Sequence, residues 1–257
     1  MSTLPLIIGH RGASAVAPEN TVAAFARAML DGADGIEFDV RLARDGEPVV
    51  IHDATLERTG LVAGLVCQLT SEELKEIDVG SWFRRRVHGS ETDFAGEKLP
   101  KLQQVFEFFG NKSGLLYLEM KSDIAGGGGL VNEVVRSIQR HSMRERVIVE
   151  SFDLPLIEQV KSLDRSIRTA ALFEPKVSRP VSLMLTMKPV ALAKHYGADE
   201  IALHYTLASR RLIGKAKEAG LSIVVWTVDN PKWIERARSL GVDTLITNNP
   251  ALMLTYR

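Results

Sequence analysis

The chain has 257 residues, a length that suits either two small domains or one large α/β barrel. Its 32 basic residues balance 32 acidic ones, so the basic surface typical of nucleic-acid-binding proteins is missing and that class is disfavoured. The single cysteine, Cys67, excludes an intrachain disulfide, and no apolar run approaches the roughly 18 residues needed to span a bilayer. Motifs that begin at Gly9 leave no room for a cleavable signal peptide, so we expect a cytoplasmic protein without a transmembrane segment.

The first predicted element is a short buried strand that delivers polar groups to a site. The apolar run from Pro5 to Ile8 stops at His10-Arg11, a pair that stands between two glycines. Glycine lets the backbone turn sharply and approach a ligand closely. A helix is expected to follow, with Asn20 or Thr21 as its N-cap. Its apolar stripe is predicted to comprise Val22, Phe25, Ala26 and Met29.

The second predicted strand, Ala33 to Leu42, carries two acidic residues, Glu37 and Asp39. Because side chains alternate along a strand, both carboxylates lie on the same face. Two carboxylates side by side repel each other and are costly to bury without a cation. The pattern therefore indicates half of a metal site. A further short strand, Pro48 to Ile51, ends at His52.

The regular alternation of strands and helices is interrupted between Ala54 and Leu99. Thr70 and Glu73 have the spacing of a capping box and predict a short helix in this stretch. The stretch is too long for an ordinary strand-to-helix connection, and loops of such length are usually functional or separately folded. We expect a single domain over residues 1–257, with residues 54–99 as a small insertion over the mouth of the active site.

Strands and helices alternate steadily after this interruption. The further strand candidates are Leu115–Leu118, Val147–Val149, Ile167–Phe173, Ile201–Leu203, Ile223–Val228 and Thr244–Thr247. Such repeated units predict a parallel sheet with right-handed crossovers, and their number together with the chain length favours a (β/α)₈ TIM barrel. A doubly wound open sheet is the alternative, but no glycine-rich dinucleotide-binding turn follows the first strand.

The candidate metal ligands are Glu37, Asp39 and Glu119, which two different strands supply. In a barrel of this class the carboxyl ends of the strands form the active-site face, so the three carboxylates are expected to meet there. Hard oxygen ligands of this kind favour Mg²⁺ or Ca²⁺. The alternative is a network of ion pairs with Arg11, Lys121 or Arg41 in which no metal takes part.

The candidate proton carriers are His10 and His52, because an unperturbed imidazole pKa near 6.5 serves acid and base roles alike. Two alternatives remain: each imidazole caps a strand end, or both are ligands of Zn²⁺ or iron. Arg11 and Lys121 suit phosphate oxygens, or they balance the charge of the acids. Trp226, near a strand end, either lines the substrate pocket or belongs to the core.

Taken together, these residues resemble the glycerophosphodiester phosphodiesterase family. The resemblance extends from about Leu6 to Pro250, and it rests on the order and spacing of several motifs. They are His10-Arg11-Gly12, Pro18-Glu19-Asn20-Thr21, Glu37-Phe38-Asp39-Val40, Asp45-Gly46, His52-Asp53, Arg58-Thr59, Glu119-Met120-Lys121, Ser151-Phe152-Asp153 and Trp226-Thr227-Val228. Each motif is weak alone, whereas the set is specific.

The resemblance implies a (β/α)₈ barrel that hydrolyses small-molecule glycerophosphodiesters to glycerol phosphate and an alcohol with the help of one divalent cation. The roles it implies are metal binding by Glu37, Asp39 and Glu119, acid–base catalysis by His10 and His52, and phosphate contact by Arg11 and Lys121. The attacking group is either a metal-activated water or the substrate's neighbouring hydroxyl. The competing hypotheses are a lysophospholipase D-like enzyme that acts on larger lipids and a non-catalytic barrel that binds glycerophosphodiesters.

Overall fold

The computed structural model describes residues 4–86, 93–122, 127–175 and 188–257. Eight parallel strands form a closed barrel, because β1 pairs with β2 on one side and with β9 on the other. The barrel strands are β1 Leu6–His10, β2 Gly35–Leu42, β4 Leu115–Met120, β5 Val147–Ser151, β6 Arg168–Phe173, β7 Glu200–His204, β8 Ser222–Trp226 and β9 Thr244–Thr247. A short strand, β3 (Pro48–Val50), pairs antiparallel with β2 outside this ring. The predicted TIM barrel is confirmed, and the open sheet is excluded.

Helices surround the barrel and connect its strands. Their bounds are α1 Val22–Leu30, α2 Ser71–Lys75, α3 Ser81–Arg86, α4 Leu102–Phe109, α5 Leu130–Arg140, α6 Leu154–Leu163, α7 Pro189–His195, α8 Arg210–Glu218, α9 Lys232–Leu240 and α10 Pro250–Leu254. Within the described ranges, no helix combines the length and the apolar character that crossing a membrane requires.

Helix α1 begins after Thr21, whose hydroxyl accepts a hydrogen bond from the Ala24 N–H at 3.1 Å. Thr21, and not its neighbour, is therefore the N-cap. The buried face of the helix comprises Ala24, Phe25 and Ala28, whereas Ala26 is exposed, so the predicted stripe was wrong at that position. The reason is a close approach to the glycine motif: a Cβ atom added at Gly12 would lie 2.6 Å from the Ala24 backbone. Small residues on this face let the helix pack tightly against the end of β1.

Two further helix predictions need correction. The spacing of Leu156, Ile157, Val160 and Leu163 predicts a helix on which all four face inward. Leu163, however, is the last residue of α6 and its side chain is 51% exposed. The end of a helix extends past the sheet that it covers, so the periodic pattern no longer reports burial there. The two Asn-Pro pairs predict that Pro231 and Pro250 each take the first helical position. Pro231 is instead the N-cap of α9, whereas Pro250 occupies the first turn of α10 as expected.

The interior of the barrel is apolar except at its two ends. At the amino ends of the strands, the Tyr117 hydroxyl donates a hydrogen bond to Glu200 Oε2 at 2.9 Å. Burial raises the pKa of Glu200 to about 7. The layer above is filled by Ile8, Ile148, Ala170, Ala202, Val224 and Ile246. This packed layer separates the amino end of the barrel from the polar groups at the carboxyl ends.

The segment between β3 and α4 has an apolar cluster of its own. This segment contains a 3₁₀ turn at Val66–Gln68 and the helices α2 and α3. The cluster is formed by Ala43, Val49, Ile51, Leu56, Val66, Leu74, Val79 and Leu99. The predicted capping box of Thr70 and Glu73 is present at the start of α2. The side chains of the arginine run at 84–86 lie outside the described residues.

Candidate active site

Three carboxylates converge at the carboxyl end of the barrel. Glu37 and Asp39 share the inner face of β2, and Asp39 stands directly beside Glu119 of β4 in the parallel register. One carboxylate oxygen from each of the three lies within 4.8 Å of the others, and all three side chains are buried. The structure thus brings together the acidic residues that the sequence placed on two separate strands.

Burial makes this cluster electrostatically strained. It raises the pKa of Glu37 well above its usual value, and the neighbouring charge of Asp39 adds to the effect. The same two causes raise the pKa of Glu119 to about 7. Burial acts in this direction on Asp39 as well, but the charges of Arg11 and Lys121 outweigh it and keep its pKa below the usual value. Carboxylates in this state are suited to a cation that would neutralise them.

Arg11 and Lys121 are the cations beside the carboxylates. The Arg11 backbone N–H donates to Glu37 Oε2 at 3.0 Å, and its Nε lies 3.2 Å from Asp39 Oδ2. Arg11 takes a left-handed φ of 54°, which points both its backbone and its guanidinium toward the acids. Lys121 Nζ donates to Glu119 Oε1 at 2.7 Å. Both side chains therefore balance the acidic charge.

His10 lies at the end of β1, with its two ring nitrogens facing different groups. Nε2 lies 3.8 Å from Glu37 Oε2, and Nδ1 lies 2.7 Å from Asn248 Oδ1. Burial, assisted by the positive charge of Arg11, lowers the pKa of His10 to about 4. The imidazole is therefore neutral near pH 7.

His52 follows β3 and has a carboxylate behind it. Its Nδ1 lies 2.6 Å from Asp53 Oδ1, while Asp53 Oδ2 accepts a hydrogen bond from Arg58 Nε at 2.5 Å. Burial lowers the pKa of His52, although the nearby carboxylate of Asp39 opposes the shift. The two predicted proton carriers thus stand on different elements and have different partners, an amide for one and a carboxylate for the other.

Two residues that the sequence analysis treated only as motif members or helix signals contact the site. The Asn20 side chain donates to Asp39 Oδ2 at 2.8 Å and accepts the Asp39 backbone N–H at 3.2 Å. Glu19 accepts hydrogen bonds from Arg11 at 2.7 Å and from Arg58 at 2.7 and 2.8 Å. A single sequence offers no local signal for these roles, because Asn and Glu before a helix are also ordinary capping residues.

A third missed residue is Glu150, which lies beside Glu119 in the register of β5 and β4. Its side chain is buried, and its Oε2 atom has no hydrogen-bond partner within the described part of the chain. Burial and the nearby acidic charges raise the pKa of Glu150 well above its usual value. Burial therefore favours the neutral form of this carboxyl group.

Aromatic side chains border another part of the barrel mouth. Trp226, at the end of β8, is half-buried, and its ring centroid lies 5.5 Å from that of Phe152 and 5.3 Å from that of His204. The Phe152 side chain follows β5 and is 37% exposed. We refer to Phe152, His204 and Trp226 as the aromatic cluster. It presents apolar surface to solvent at the carboxyl end of the barrel.

Comparison with known proteins identifies relatives of this architecture. The sequence profile described as "Glycerophosphoryl diester phosphodiesterase family" matches residues 10–252. A glycerophosphodiester phosphodiesterase from Caldanaerobacter subterraneus is 36% identical over 249 residues, which cover 97% of this chain and 96% of the relative. One from Bacillus altitudinis is 32% identical, and the match covers 95% and 94% of the two chains.

Solved structures of similar fold agree with this family match. An Oleispira antarctica phosphodiesterase in complex with the product sn-glycerol-3-phosphate has a TM-score of 0.82 at 25% identity, with 98% of this chain and 96% of the other covered. A glycerophosphodiester phosphodiesterase from Agrobacterium tumefaciens has a TM-score of 0.80 at 27% identity, with 98% and 100% covered. The resemblance read from the motifs is confirmed: the chain belongs to the glycerophosphoryl diester phosphodiesterase family, a family of hydrolytic enzymes.

Proposed function

We propose that this protein hydrolyses glycerophosphodiesters to glycerol 3-phosphate and an alcohol, with one bound divalent cation and two catalytic histidines. The observation that carries the proposal is the convergence of three buried carboxylates within 4.8 Å at the mouth of the barrel. Two imidazoles and two cationic side chains flank them. The product named for the Oleispira relative, sn-glycerol-3-phosphate, supports the choice of substrate class.

The charges of the site support both the metal and the anionic substrate. The trio of Glu37, Asp39 and Glu119 carries three formal negative charges, against two positive charges on Arg11 and Lys121. One negative charge is left over. A divalent cation would offset this excess, and together with Arg11 and Lys121 it would attract the negative charge of a phosphodiester. The negative excess is thus suited to a metal, and the site with its metal bound is suited to an anionic substrate.

The residues that would hold the metal are Glu37, Asp39 and Glu119. Asp39 Oδ1 is buried and accepts no hydrogen bond of good geometry from the described residues, although Lys121 Nζ is 3.2 Å away. A carboxylate oxygen with this spare capacity fits a hard cation, Mg²⁺ or Ca²⁺. When bound, such a cation supplies charge stabilisation for the phosphoryl oxygens as negative charge builds up in the transition state.

Arg11 and Lys121 hold the phosphate, while one histidine takes a proton from the attacking group and the other gives a proton to the leaving alkoxide. Neutral His10 has a free lone pair to accept a proton from the attacking group, which is a water molecule or the substrate's neighbouring hydroxyl. His52, whose Nδ1 faces the Asp53 carboxylate, is suited to give a proton to the leaving alkoxide. The charged carboxylate of Asp53 favours the protonated imidazole of His52, whereas the partner of His10 is a neutral amide.

We assign the alcohol side of the substrate to the aromatic cluster and to the segment 54–99, within one domain over residues 1–257. Trp226→Ala is expected to raise KM with little change in kcat, because it removes contact area and no proton carrier. A steady-state comparison with the wild type checks this. A fall in kcat with no change in KM would contradict a substrate-binding role for Trp226.

A second candidate, hydrolysis of lysophospholipids, is favoured by one observation. Three apolar side chains of the segment 54–99 are exposed: Leu61 by 40%, Val62 by 47% and Leu65 by 37%. An exposed apolar surface of this kind suits an acyl chain. The triple variant with serine at these positions would lose activity on lysolipids and keep it on small diesters if the surface binds lipid.

The test of the proposal is an activity screen on glycerophosphocholine, glycerophosphoethanolamine, glycerophosphoinositol and lysolipids. Each is assayed with Mg²⁺, Ca²⁺, Mn²⁺ or a chelator. We expect release of glycerol 3-phosphate from at least one small diester, loss of activity with the chelator and recovery with Mg²⁺ or Ca²⁺. Binding of the diesters without turnover under every metal would instead identify a binding protein.

A further inference from the structure

The loops after β8 and β9 meet behind His10 and form a chain of hydrogen bonds. Asn248 Oδ1 lies 2.7 Å from His10 Nδ1 and also accepts the Ser14 hydroxyl at 2.9 Å. Asn248 Nδ2 donates to Asp229 Oδ2 at 2.7 Å. The other oxygen of Asp229 accepts the Asn248 backbone N–H at 2.8 Å and the Thr247 hydroxyl at 2.9 Å. Asp229 and Asn248 have no part in the function proposed above.

The direction of each hydrogen bond follows from the carboxylate at the end of the chain. An ionised carboxylate only accepts hydrogen bonds, so the atom of Asn248 that faces Asp229 is the amide nitrogen. A flipped amide would place two acceptor oxygens 2.7 Å apart and lose the hydrogen bond to Asp229. The Asn248 oxygen therefore faces His10, and His10 Nδ1 must be the donor. This leaves Nε2 without a proton in the neutral imidazole.

We propose that Asp229 and Asn248 are positioning residues that fix His10 as its Nδ1–H tautomer and so confine proton exchange to Nε2. Nδ1 keeps its proton in both charge states of the ring, because its partner is always an acceptor. Nε2 is the nitrogen that lies 3.8 Å from Glu37 Oε2 and faces the acidic cluster. This inference rests on the proposed function in that the exchanged proton belongs to the hydrolysis, whereas the tautomer itself is a property of the free protein.

A purely structural role for Asp229 predicts a different outcome. The same carboxylate joins the loops after β8 and β9, so its removal would loosen them whether or not it acts on His10. The matched control is Asp243, which also links these two strands, but at their amino ends: its Oδ2 accepts the Ile223 N–H at 2.8 Å. Asp243→Asn weakens the link between β8 and β9 without touching His10.

The experiment reads the tautomer by long-range ¹H–¹⁵N NMR on protein with ¹⁵N-labelled histidine, in chelator near pH 7.5. His10→Ala assigns the signals. In the wild type and in Asp243→Asn we expect a protonated Nδ1 and an unprotonated Nε2. In Asp229→Asn, whose amide can face Asn248 with either atom, we expect a several-fold rise of the Nε2–H form. Asn248→Leu gives the same readout if Asp229→Asn does not fold.

Two results would overturn the assignment. The first is an Nε2–H majority in the wild type, which needs no variant to be seen. The second is an unchanged tautomer in folded Asp229→Asn or Asn248→Leu. The kinetic arm expects a fall in kcat of about 10- to 100-fold for Asp229→Asn with KM nearly unchanged, and wild-type values for Asp243→Asn. If the wild type does not cleave glycerophosphodiesters, the proposed function fails while the tautomer measurement still decides the assignment.

Discussion

The ammonium group of Lys121 lies 3.2 Å from Oδ1 of Asp39, a carboxylate that is completely buried. Lys121 also donates to Glu119 at 2.7 Å, so one cation joins the acids of two neighbouring strands. A divalent ion bound among these carboxylates would stand close to this ammonium group and be repelled by it. On the roles proposed above, Lys121 would lower the affinity of the site for metal and at the same time supply a positive charge for phosphate.

This relationship predicts opposite effects of one substitution on metal and on substrate. Lys121→Met is expected to tighten Mg²⁺ or Ca²⁺ binding several-fold in calorimetry, because a nearby like charge is removed. The same variant is expected to raise KM and to lower kcat/KM by at least about 10-fold, because a phosphate contact is lost. Lys215→Met, an exposed position on α8, is the control. Weaker metal binding in Lys121→Met would contradict the argument.

Glu37→Gln is expected to weaken the binding of the divalent cation by at least about 10-fold and to raise the melting temperature in chelator. The metal loses one charged ligand. In the metal-free protein, however, the substitution removes a carboxylate that is buried beside Asp39. Burial and the charge of Asp39 are the two causes that raise the pKa of Glu37, so their cost is relieved. Calorimetry and thermal unfolding measure the two effects, with exposed Glu158→Gln as the control. A lower melting temperature in chelator would show that Glu37 stabilises the fold.

His10→Ala and His52→Ala are each expected to lower kcat by about 10²- to 10⁴-fold, the usual contribution of a general acid or base. Circular dichroism should show an unchanged fold, and the exposed His195→Ala serves as the control. Near-normal turnover in both variants would remove the acid–base assignment. A rise in KM with kcat unchanged would instead identify the imidazoles as substrate-binding groups.

The buried Glu200 predicts a pH-dependent stability that is independent of the active site. Its pKa is raised by burial from 4.5 to about 7, so the folded state retains a proton that the unfolded state releases in this range. The stabilising contribution is complete below about pH 4.5 and is lost as the pH rises through 7, on the order of 3 kcal/mol in total.

Glu200→Gln keeps an acceptor for the Tyr117 hydroxyl and cannot ionise. Its free energy of unfolding is therefore expected to fall less than that of the wild type between about pH 5 and pH 8. Urea unfolding at the two pH values measures this difference, and exposed Glu218→Gln is the control. Identical pH dependence in Glu200→Gln and the wild type would mean that Glu200 is ionised in the folded protein throughout.

The parts of the site that the sequence could predict depend on local geometry. Strand alternation placed Glu37 and Asp39 on one face, and the common edge of parallel strands explains why Glu119 joins them. The barrel itself followed from the repeated units. Each of these inferences needs only a short stretch of chain and a general rule of packing.

The contacts that escaped prediction join residues far apart in the chain or depend on unusual backbone angles. Asn20 reaches Asp39 from a left-handed φ of 59°, which no periodic pattern reveals. Asn248 meets His10 across 238 positions. Ala26 was assigned to a buried stripe because the pattern could not show that glycines draw a different face of α1 inward. Tertiary packing decides all three.

Closure of the ring gives the catalytic centre a particular order of assembly. Strand β1 pairs only with β2 until β9 has been synthesised. Asn248, the partner of His10, comes directly after β9. During synthesis on the ribosome, the 238 residues that follow His10 must emerge before it gains its partner. On the roles proposed above, partly synthesised chains would lack a complete catalytic centre, and hydrolysis would begin only after the barrel has closed.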